Sequence, residues 1–224
     1  MIVEKHSILC NVLSATAEVN NLFAGICEWD DIEKSSYDTK YSWGNLTVTV
    51  TSITGTPRLT RVKLTINETD YAVASTSEKP YLNFIIIKTA TSVGIIADCS
   101  VTGGSVTADY ISSTPLKFVL TKSLNMSDGN EEKAVIVAKG TGTAEEHSIH
   151  LAADSNTATA ATTNKTYTNA NITVLQPATC ATYTGYCPHV FVPVYQTCES
   201  SNSKATVNGS NFYILGGSLY LLDD

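Results

Sequence analysis

The sequence has few charged residues, no basic stripe and no recognisable catalytic motif. Charged residues make up 16% of the 224 residues, the formal net charge is −7, and the 14 Lys and Arg are scattered. A surface that binds nucleic-acid phosphates needs clustered positive charge. A phosphate-binding glycine loop, a metalloprotease helix motif, a nucleophile elbow and a calcium loop are all missing. The sequence therefore predicts a non-enzymatic protein with no catalytic residues, no cofactor, no metal and no nucleic-acid partner.

Long apolar runs are also missing. A membrane-spanning helix needs about 18 or more consecutive apolar residues, whereas the longest runs here, Phe84–Ile87 and Val93–Ala97, have the length of strands. The first residues hold one basic side chain, Lys5, and a short apolar run, Ile8–Leu13, which makes a poor secretory signal. We therefore expect no membrane association and synthesis in the cytoplasm.

Cysteine is present, but in no zinc-like pairing. Cys180, Cys187 and Cys198 are separated by six and ten residues, unlike the tight Cys-x-x-Cys pairs of zinc sites. In a reducing compartment these residues are expected to be structural thiols, although a disulfide formed after release is an alternative. His189 follows Cys187-Pro188, but no orienting acid lies nearby. We expect no catalytic thiol.

The clearest positive feature is strand-like alternation. Residues Leu46–Thr51 alternate apolar and hydroxyl side chains with period two, which is typical of a strand with one buried face. Similar patterns, many separated by Gly or Pro, predict strands at 45–52, 58–67, 70–74, 81–88, 92–99, 104–111, 115–121, 133–139, 146–152 and 171–175. Many short strands at this spacing predict a mainly β fold, namely an antiparallel β-sandwich. The first seven could form an immunoglobulin-like unit, although the Cys…Trp…Cys framework of antibody domains is missing.

Three regions follow from these patterns. Residues 1–40 are predicted to form an N-terminal helical or extended arm, residues 41–176 a β-sandwich domain, and residues 177–224 an aromatic, Cys-rich C-terminal β-hairpin region. In the first region apolar residues recur at helical steps of three and four: Ile8, Leu9, Val12, Leu13, Val19, Leu22, Phe23 and Ile26. Such a helix could end at Gly25. It could pack on the chain's own core or dock on a neighbouring subunit.

The C-terminal region predicts a small β meander. Asn208-Gly209 and Gly216-Gly217 are turn signals that flank Phe212–Leu215 and Leu219–Leu222. Both faces of these strands are apolar or aromatic, so we expect packing on each side. Before this region, residues 153–171 form a Thr/Ala/Asn tract without large aliphatic side chains, which predicts an extended loop or a strand on a subunit surface.

The chain as a whole resembles virion structural proteins of tailed bacteriophages. The resemblance is carried by few charges, threonine-coated strands, the Thr/Ala/Asn tract and the terminal segment Val207–Tyr220, VNGSNFYILGGSLY. It covers the character of the whole chain and transfers no functional residue. It implies a protein made in the host cytoplasm that joins other virion proteins, as a homo-oligomer, in a symmetric particle. Head decoration, collar, tail and baseplate roles are all open.

Apolar residues in the two terminal regions are the predicted interface, because short segments cannot close a core alone. These residues are Leu22, Phe23, Trp29, Tyr186, Phe191, Tyr195, Phe212, Tyr213 and Tyr220. The alternative is a carbohydrate- or receptor-binding β module that mediates host attachment. In that case Trp29, Trp43 and the C-terminal tyrosines would stack on a cell-surface glycan. A glycosidase-like enzyme would instead need two close carboxylates in a cleft.

Overall fold

The computed structural model shows a mainly β chain with antiparallel sheets, as the alternating pattern predicts. The structure describes residues 1–44, 46–53, 59–66, 69–74, 81–100, 116–122, 125–126, 133–138, 149–150, 167–176, 181–193, 203–207, 209–215 and 219–223. Within these ranges the chain forms seventeen strands and one helix. The sandwich and the immunoglobulin-like arrangement stay predictions.

The chain begins with one strand and the helix, and all later elements are strands. The first half holds β1 (Ile2–Leu9), α1 (Ala15–Ala24), β2 (Asp31–Lys34), β3 (Asp38–Trp43), β4 (Leu46–Ile53), β5 (Leu59–Ile66), β6 (Thr69–Ala74), β7 (Tyr81–Lys88) and β8 (Ser92–Ser100). The second half holds β9 (Leu116–Thr121), β10 (Asn125–Met126), β11 (Ala134–Ala138), β12 (Ile149–His150), β13 (Tyr167–Gln176), β14 (Ala181–Pro193), β15 (Ser203–Val207), β16 (Ser210–Leu215) and β17 (Leu219–Leu222).

The strands form three sheets. Sheet I has the order β1-β7-β8-β9-β11, and sheet II has the order β2-β3-β4-β5-β6. Sheet III has the order β12-β13-β14-β17-β16-β15, with β10 also paired to β14. Neighbouring strands are antiparallel in every pair whose register is described. Sheet II is a simple meander in which each strand pairs with the next in sequence.

Most predicted strands coincide with observed ones. The segments predicted at 45–52, 58–67, 70–74, 81–88 and 92–99 correspond to β4 to β8 within two residues at either end. The segment at 104–111 lies outside the described residues. The sequence missed β1, β2, β3, β10 and β15. In β1 and β2 polar and charged residues interrupt the alternation on which the prediction depends, and β10 has only two residues. β3 does alternate, with Thr39, Tyr41 and Trp43 buried, and was missed although this signal was present.

The predicted N-terminal helix is shorter than its apolar pattern. Ile8 lies in β1, and Val12 and Leu13 lie in the turn that follows, so only the later part of the pattern is helical. Pairing in sheet I overrides the local helical period at the start of the chain. The helix ends at Ala24, where the Gly25 N–H donates to the carbonyls of residues 21 and 22 at 3.3 and 3.1 Å.

The chain divides into two compact units. Unit 1 comprises Met1–Val3, Ile87–Ile96 and Ser113–Asp224, and unit 2 comprises Glu4–Ile86 and Ala97–Ser112. These limits differ from the predicted limits at residues 40 and 176. The difference arises because most of β1 and all of α1 group with sheet II in unit 2 instead of standing apart as an arm.

In unit 2 the helix packs on the unit's own core. Val19 and Phe23 on α1 are buried. The Phe23 ring lies 5.9 Å from the ring of Tyr41 on β3 and 5.7 Å, edge to face, from that of Phe84 on β7. Of the two interpretations of residues 1–40, the structure therefore supports a helix on the chain's own core.

In unit 1, Gly94 marks a close approach between sheets I and III. A Cβ atom at this position on β8 would lie 3.0 Å from Cδ2 of Leu215 on β16 and 3.3 Å from Cδ2 of Leu221 on β17. Both leucines are fully buried. Glycine therefore lets the side chains of sheet III seat directly on the backbone of β8.

The C-terminal sheet contains the predicted hairpins. Val207 pairs with Ser210 across a two-residue connection in which Gly209 has φ +83°, a conformation that favours glycine. Leu215 pairs with Leu219, and residues 216–218 between them lie outside the described ranges. The sheet is larger than the predicted three-stranded meander, since β12, β13, β14 and β15 also belong to it. Residues 167–171 of the Thr/Ala/Asn tract form the start of β13, and residues 153–166 lie outside the described ranges.

Candidate assembly surface

The predicted interface residues near the N-terminus contribute mainly to the core of unit 2. Phe23 is buried, and Leu22 and Trp29 are half-buried. The Trp29 Nε1 donates a hydrogen bond of 2.7 Å to the backbone oxygen of Phe23. The Trp29 ring also lies 5.4 Å from the ring of Tyr41. These contacts fix the end of α1 on sheet II, and little of Phe23 is left for a partner.

The two tryptophans are poorly placed as platforms for a sugar. Trp43 is only 2% exposed, and its ring meets that of Trp29 edge to face at 6.5 Å. A stacking platform must present a free ring face to the ligand. The aromatic residues with the most exposure in the described chain are instead Tyr37, at 57%, and Tyr186, at 38%.

Most of the predicted interface residues near the C-terminus lie on strands of sheet III and are packed against one another. Phe212, Tyr213 and Tyr220 are buried, and Phe191 is half-buried. The Phe212 ring meets Phe191 edge to face at 5.5 Å and Tyr220 at 6.2 Å. Burial raises the pKa of Tyr213 to about 12. Tyr195 lies outside the described residues.

Strand β14 carries an irregularity beside Tyr186. In its pairing with β13, Asn169 lies opposite Phe191 while Ala170 lies opposite Cys187, so the register skips the three residues between them. The first of these is Pro188, which has no N–H to offer to a ladder. The sequence raised the question of a reactive Cys187 here. The structure buries this thiol and thereby raises its pKa, which is the opposite of what a nucleophilic cysteine requires.

The most exposed large apolar side chain in the described residues is Leu13, at 77%. It lies with the half-exposed Val12 in the turn between β1 and α1. Buried residues hold this turn at both ends: Cys10 before it and Ala15 after it are fully buried. The Ala15 N–H donates to the Val12 carbonyl at 3.2 Å. The turn is therefore anchored, and it presents Leu13 to solvent from a fixed position.

A second exposed apolar pair lies on the hairpin of β2 and β3. Ile32 on β2 is 42% exposed and Tyr37 in the connection is 57% exposed. The hairpin is closed by the Ser35 N–H, which donates to the Asp38 carbonyl at 2.8 Å. The Tyr37 carbonyl accepts from the Ser52 N–H at 2.7 Å. The hairpin tip is thus tied to β4.

Two sites with ionisable side chains lie on sheet I: a buried lysine on β9 and a histidine–glutamate contact on β1. Lys117 on β9 is fully buried, and burial lowers its pKa to about 8. On β1, His6 Nε2 lies 3.5 Å from Glu4 Oε2, as expected for residues two apart on one face of a strand. The i, i+2 spacing of Glu4 and His6 in the sequence is the signal that would have predicted this contact.

The described residues contain no group of three or more His, Cys, Asp and Glu that could hold a metal ion. In the same ranges no helix has the length and apolarity to cross a membrane. The comparisons with known proteins give no relative: no protein family, no curated protein and no solved structure matches the chain. No functional residue is therefore carried over from another protein.

Most of the exposed apolar residues differ from those predicted. The predicted set combined Leu22 with aromatic residues of the terminal regions; of its members in the described ranges Tyr186 is exposed, at 38%, and the others are buried or half-buried. Val12 and Leu13 were assigned to a helix face instead. Ser14 immediately precedes the helix, and serine is a favoured N-cap residue, so this position was the available signal that Val12 and Leu13 lie outside the helix.

Proposed function

We propose that the chain is a non-enzymatic structural protein of a tailed-bacteriophage virion that assembles through protein–protein contacts. The observation that carries the proposal is the anchored β1–α1 turn with Leu13 exposed. An exposed leucine on an anchored turn loses little conformational freedom on association, because the backbone is already ordered. It can therefore add apolar burial to an interface at a low entropic cost.

Composition and fold support the same proposal. Only 16% of residues are charged, and low charge suits a surface that is covered by other subunits. In β4 hydroxyl residues alternate with buried apolar ones, which is the pattern of a strand with one buried face. The virion itself is proposed from the resemblance of the whole sequence. Its symmetric particle would multiply a weak contact into stable attachment.

The glycan-binding alternative receives less support. Trp43 is buried and Trp29 is half-buried against the core, so a sugar platform would have to rest on Tyr37 or Tyr186. A glycan array with the purified chain separates the alternatives, since binding abolished by Tyr37→Ala or Tyr186→Ala would favour the attachment module.

The assembly surface is tested by comparing the chain with Leu13→Asp in sedimentation velocity over a range of concentrations. We expect the unaltered chain to associate and Leu13→Asp to shift to the smaller species, because a carboxylate in an apolar contact must be desolvated. Asn11→Asp is the matched control, since Asn11 is exposed in the same turn and the substitution adds the same charge without removing apolar surface. If both variants lose association equally, charge rather than Leu13 is responsible.

The virion assignment needs its own test. An antibody raised against the purified chain should label purified tailed particles at symmetric positions in negative-stain images. Peptides of the chain should also be recovered from particles after washing in high salt. Particles that carry neither label nor peptide would contradict the assignment, even if the chain self-associates in solution.

A further inference from the structure

Strand β2 forms one edge of sheet II. In the described part of the chain it pairs with β3 alone, and all four of its residues, Asp31–Lys34, are exposed. An edge strand presents backbone N–H and C=O groups to which another chain can add a strand. Proteins with such an edge either pair it with another strand or protect it against pairing.

The register shows which groups of β2 face outward. The Ser35 N–H donates to the Asp38 carbonyl at 2.8 Å, so these two residues form a hydrogen-bonded pair. Hydrogen-bonded and non-hydrogen-bonded pairs alternate along an antiparallel ladder. Ile32, which lies opposite Tyr41, therefore belongs to a non-hydrogen-bonded pair. Its backbone N–H and C=O point away from β3, towards the open edge.

The outward N–H of Ile32 is already occupied. It donates a hydrogen bond of 2.8 Å to Oδ1 of Asp31, the preceding residue on the same strand. A hydrogen bond to a carboxylate is stronger than one to a neutral acceptor. An incoming strand would have to break this bond before it could use the Ile32 donor.

We propose that Asp31 closes the β2 edge at Ile32 against strand addition by a second copy of this chain. Two antiparallel registers of β2 on β2 would use the Ile32 donor. If Ile32 pairs with Lys34, Glu33 lies directly opposite Glu33 of the other copy. If Ile32 pairs with Ile32, Asp31 lies opposite Glu33. Like charges directly opposite each other destabilise a sheet, so Glu33 reinforces the closure in both registers.

The closure directs association away from this edge. Ile32 is 42% exposed, and its apolar side chain on an unprotected edge would favour pairing. The Asp31 carboxylate occupies the Ile32 N–H, and the Ile32 side chain stays exposed. The inference stands whether or not the chain assembles through the β1–α1 turn, because it concerns a different strand and a different bond.

The test compares Asp31→Ala with Asp31→Asn, in the full chain. Alanine removes the acceptor, whereas asparagine removes the charge but keeps a side-chain oxygen at the same position. At concentrations where the chain is monomeric, the Ile32 amide should exchange about tenfold faster in Asp31→Ala, as expected for one lost hydrogen bond to a charged group. Asp31→Asn should stay within about threefold of the unaltered chain, since an amide oxygen still accepts.

At high concentration the Ile32 amide of Asp31→Ala should instead exchange more slowly than that of the unaltered chain. This protection should come with a rise in sedimentation coefficient and an infrared band of intermolecular sheet. Adding Glu33→Gln should strengthen this association, since it removes the opposing charges. Equal behaviour of Asp31→Ala and the unaltered chain in exchange and sedimentation would overturn the proposal. Association of Asp31→Asn to the same extent as Asp31→Ala would also overturn it, because charge and not the capping bond would then close the edge.

Discussion

Strands β4 and β7 show two different ways in which this chain uses a strand. Along β4, Leu46, Val48 and Val50 are buried while the threonines between them are half-buried, so one face is apolar and the other is wet. Along β7, six consecutive residues from Leu82 to Ile87 are buried. Period-two alternation marks one-sided burial, and an uninterrupted apolar run marks burial on both faces.

The two-sided strand has to satisfy a polar residue inside the core. Asn83 lies in the middle of the β7 run and is 1% exposed. Its Oδ1 accepts a hydrogen bond of 2.7 Å from the Ser7 hydroxyl on β1. A buried amide without such a partner would cost about 1–3 kcal/mol. The one-sided strand β4 avoids this cost, because its polar residues face outward.

The largest effect should come from truncating the two-sided strand. Phe84→Ala removes a fully buried ring that contacts Phe23 edge to face at 5.7 Å. We expect the free energy of unfolding to fall by about 3–5 kcal/mol, the usual cost of such a cavity. Urea unfolding followed by circular dichroism measures it. A loss below about 1 kcal/mol would mean that β7 is not held between two packed faces.

A buried charge should make stability depend on pH in unit 1. Burial lowers the pKa of Lys117 to about 8, so the unfolded chain binds the proton more tightly than the folded chain. The resulting destabilisation is complete below pH 8 and is relieved as pH rises from 8 towards 10.5, the usual pKa. The relief is about 3 kcal/mol at 1.36 kcal/mol per pKa unit.

Lys117→Met supplies the reference for this effect, because it keeps a long side chain and removes the titration. The stability of the unaltered chain relative to Lys117→Met should rise between pH 8 and 10. A flat difference over that range would show that Lys117 keeps an ordinary pKa in the folded chain.

The close approach at Gly94 should give an intermediate effect. In Gly94→Ala the new Cβ would lie 3.0 Å from Leu215 Cδ2, so the leucine must move by a few tenths of an ångström. We expect a loss of about 1–3 kcal/mol, the range for overpacking a core. Gly25→Ala is the matched control, because a Cβ there has ordinary contacts of 3.6 Å or more. Equal losses would indicate a general cost of replacing glycine instead of a packed contact between the sheets.

The sequence predicted β4 and β7, which follow these two rules, but it missed β3, whose buried residues alternate as those of β4 do. β4 and β7 were identified because alternation and apolar runs are local signals. β2, with the sequence DIEK and every residue exposed, carries no such signal, since it is a strand only through its pairing with β3. β1 was missed for a related reason: its apolar residues fit a helical period, and pairing within sheet I decides between the two.

The candidate surface was harder to predict than the fold. Aromatic residues such as Phe212 and Tyr220 attract attention as interface anchors, yet sheet III uses them for its own interior. Whether an apolar side chain is exposed depends on what packs over it, and this is set by contacts distant in sequence. Leu13 is exposed because the chain must turn between Cys10 and Ala15, and an apolar pattern alone does not contain that information.

The smallest effect should appear on the wet face of β4. Thr49 is half-buried and lies opposite Lys40 on β3 and Lys63 on β5. Thr49→Ala should change the free energy of unfolding by about 0.5 kcal/mol or less, as is usual for surface sites. Thr49→Glu places a carboxylate directly opposite Lys40 and should stabilise by about 0.2–1 kcal/mol. Thr49→Lys should destabilise by a similar amount.

These small differences should also depend on salt, because exposed charges are screened over about 10 Å at 0.1 M ionic strength. The gap between Thr49→Glu and Thr49→Lys should therefore shrink when the salt concentration is raised to 1 M, while Thr49→Ala stays unchanged. A loss in Thr49→Ala approaching that of Phe84→Ala would remove the distinction between the two strands, since the hydroxyl face of β4 would then be as tightly packed as β7.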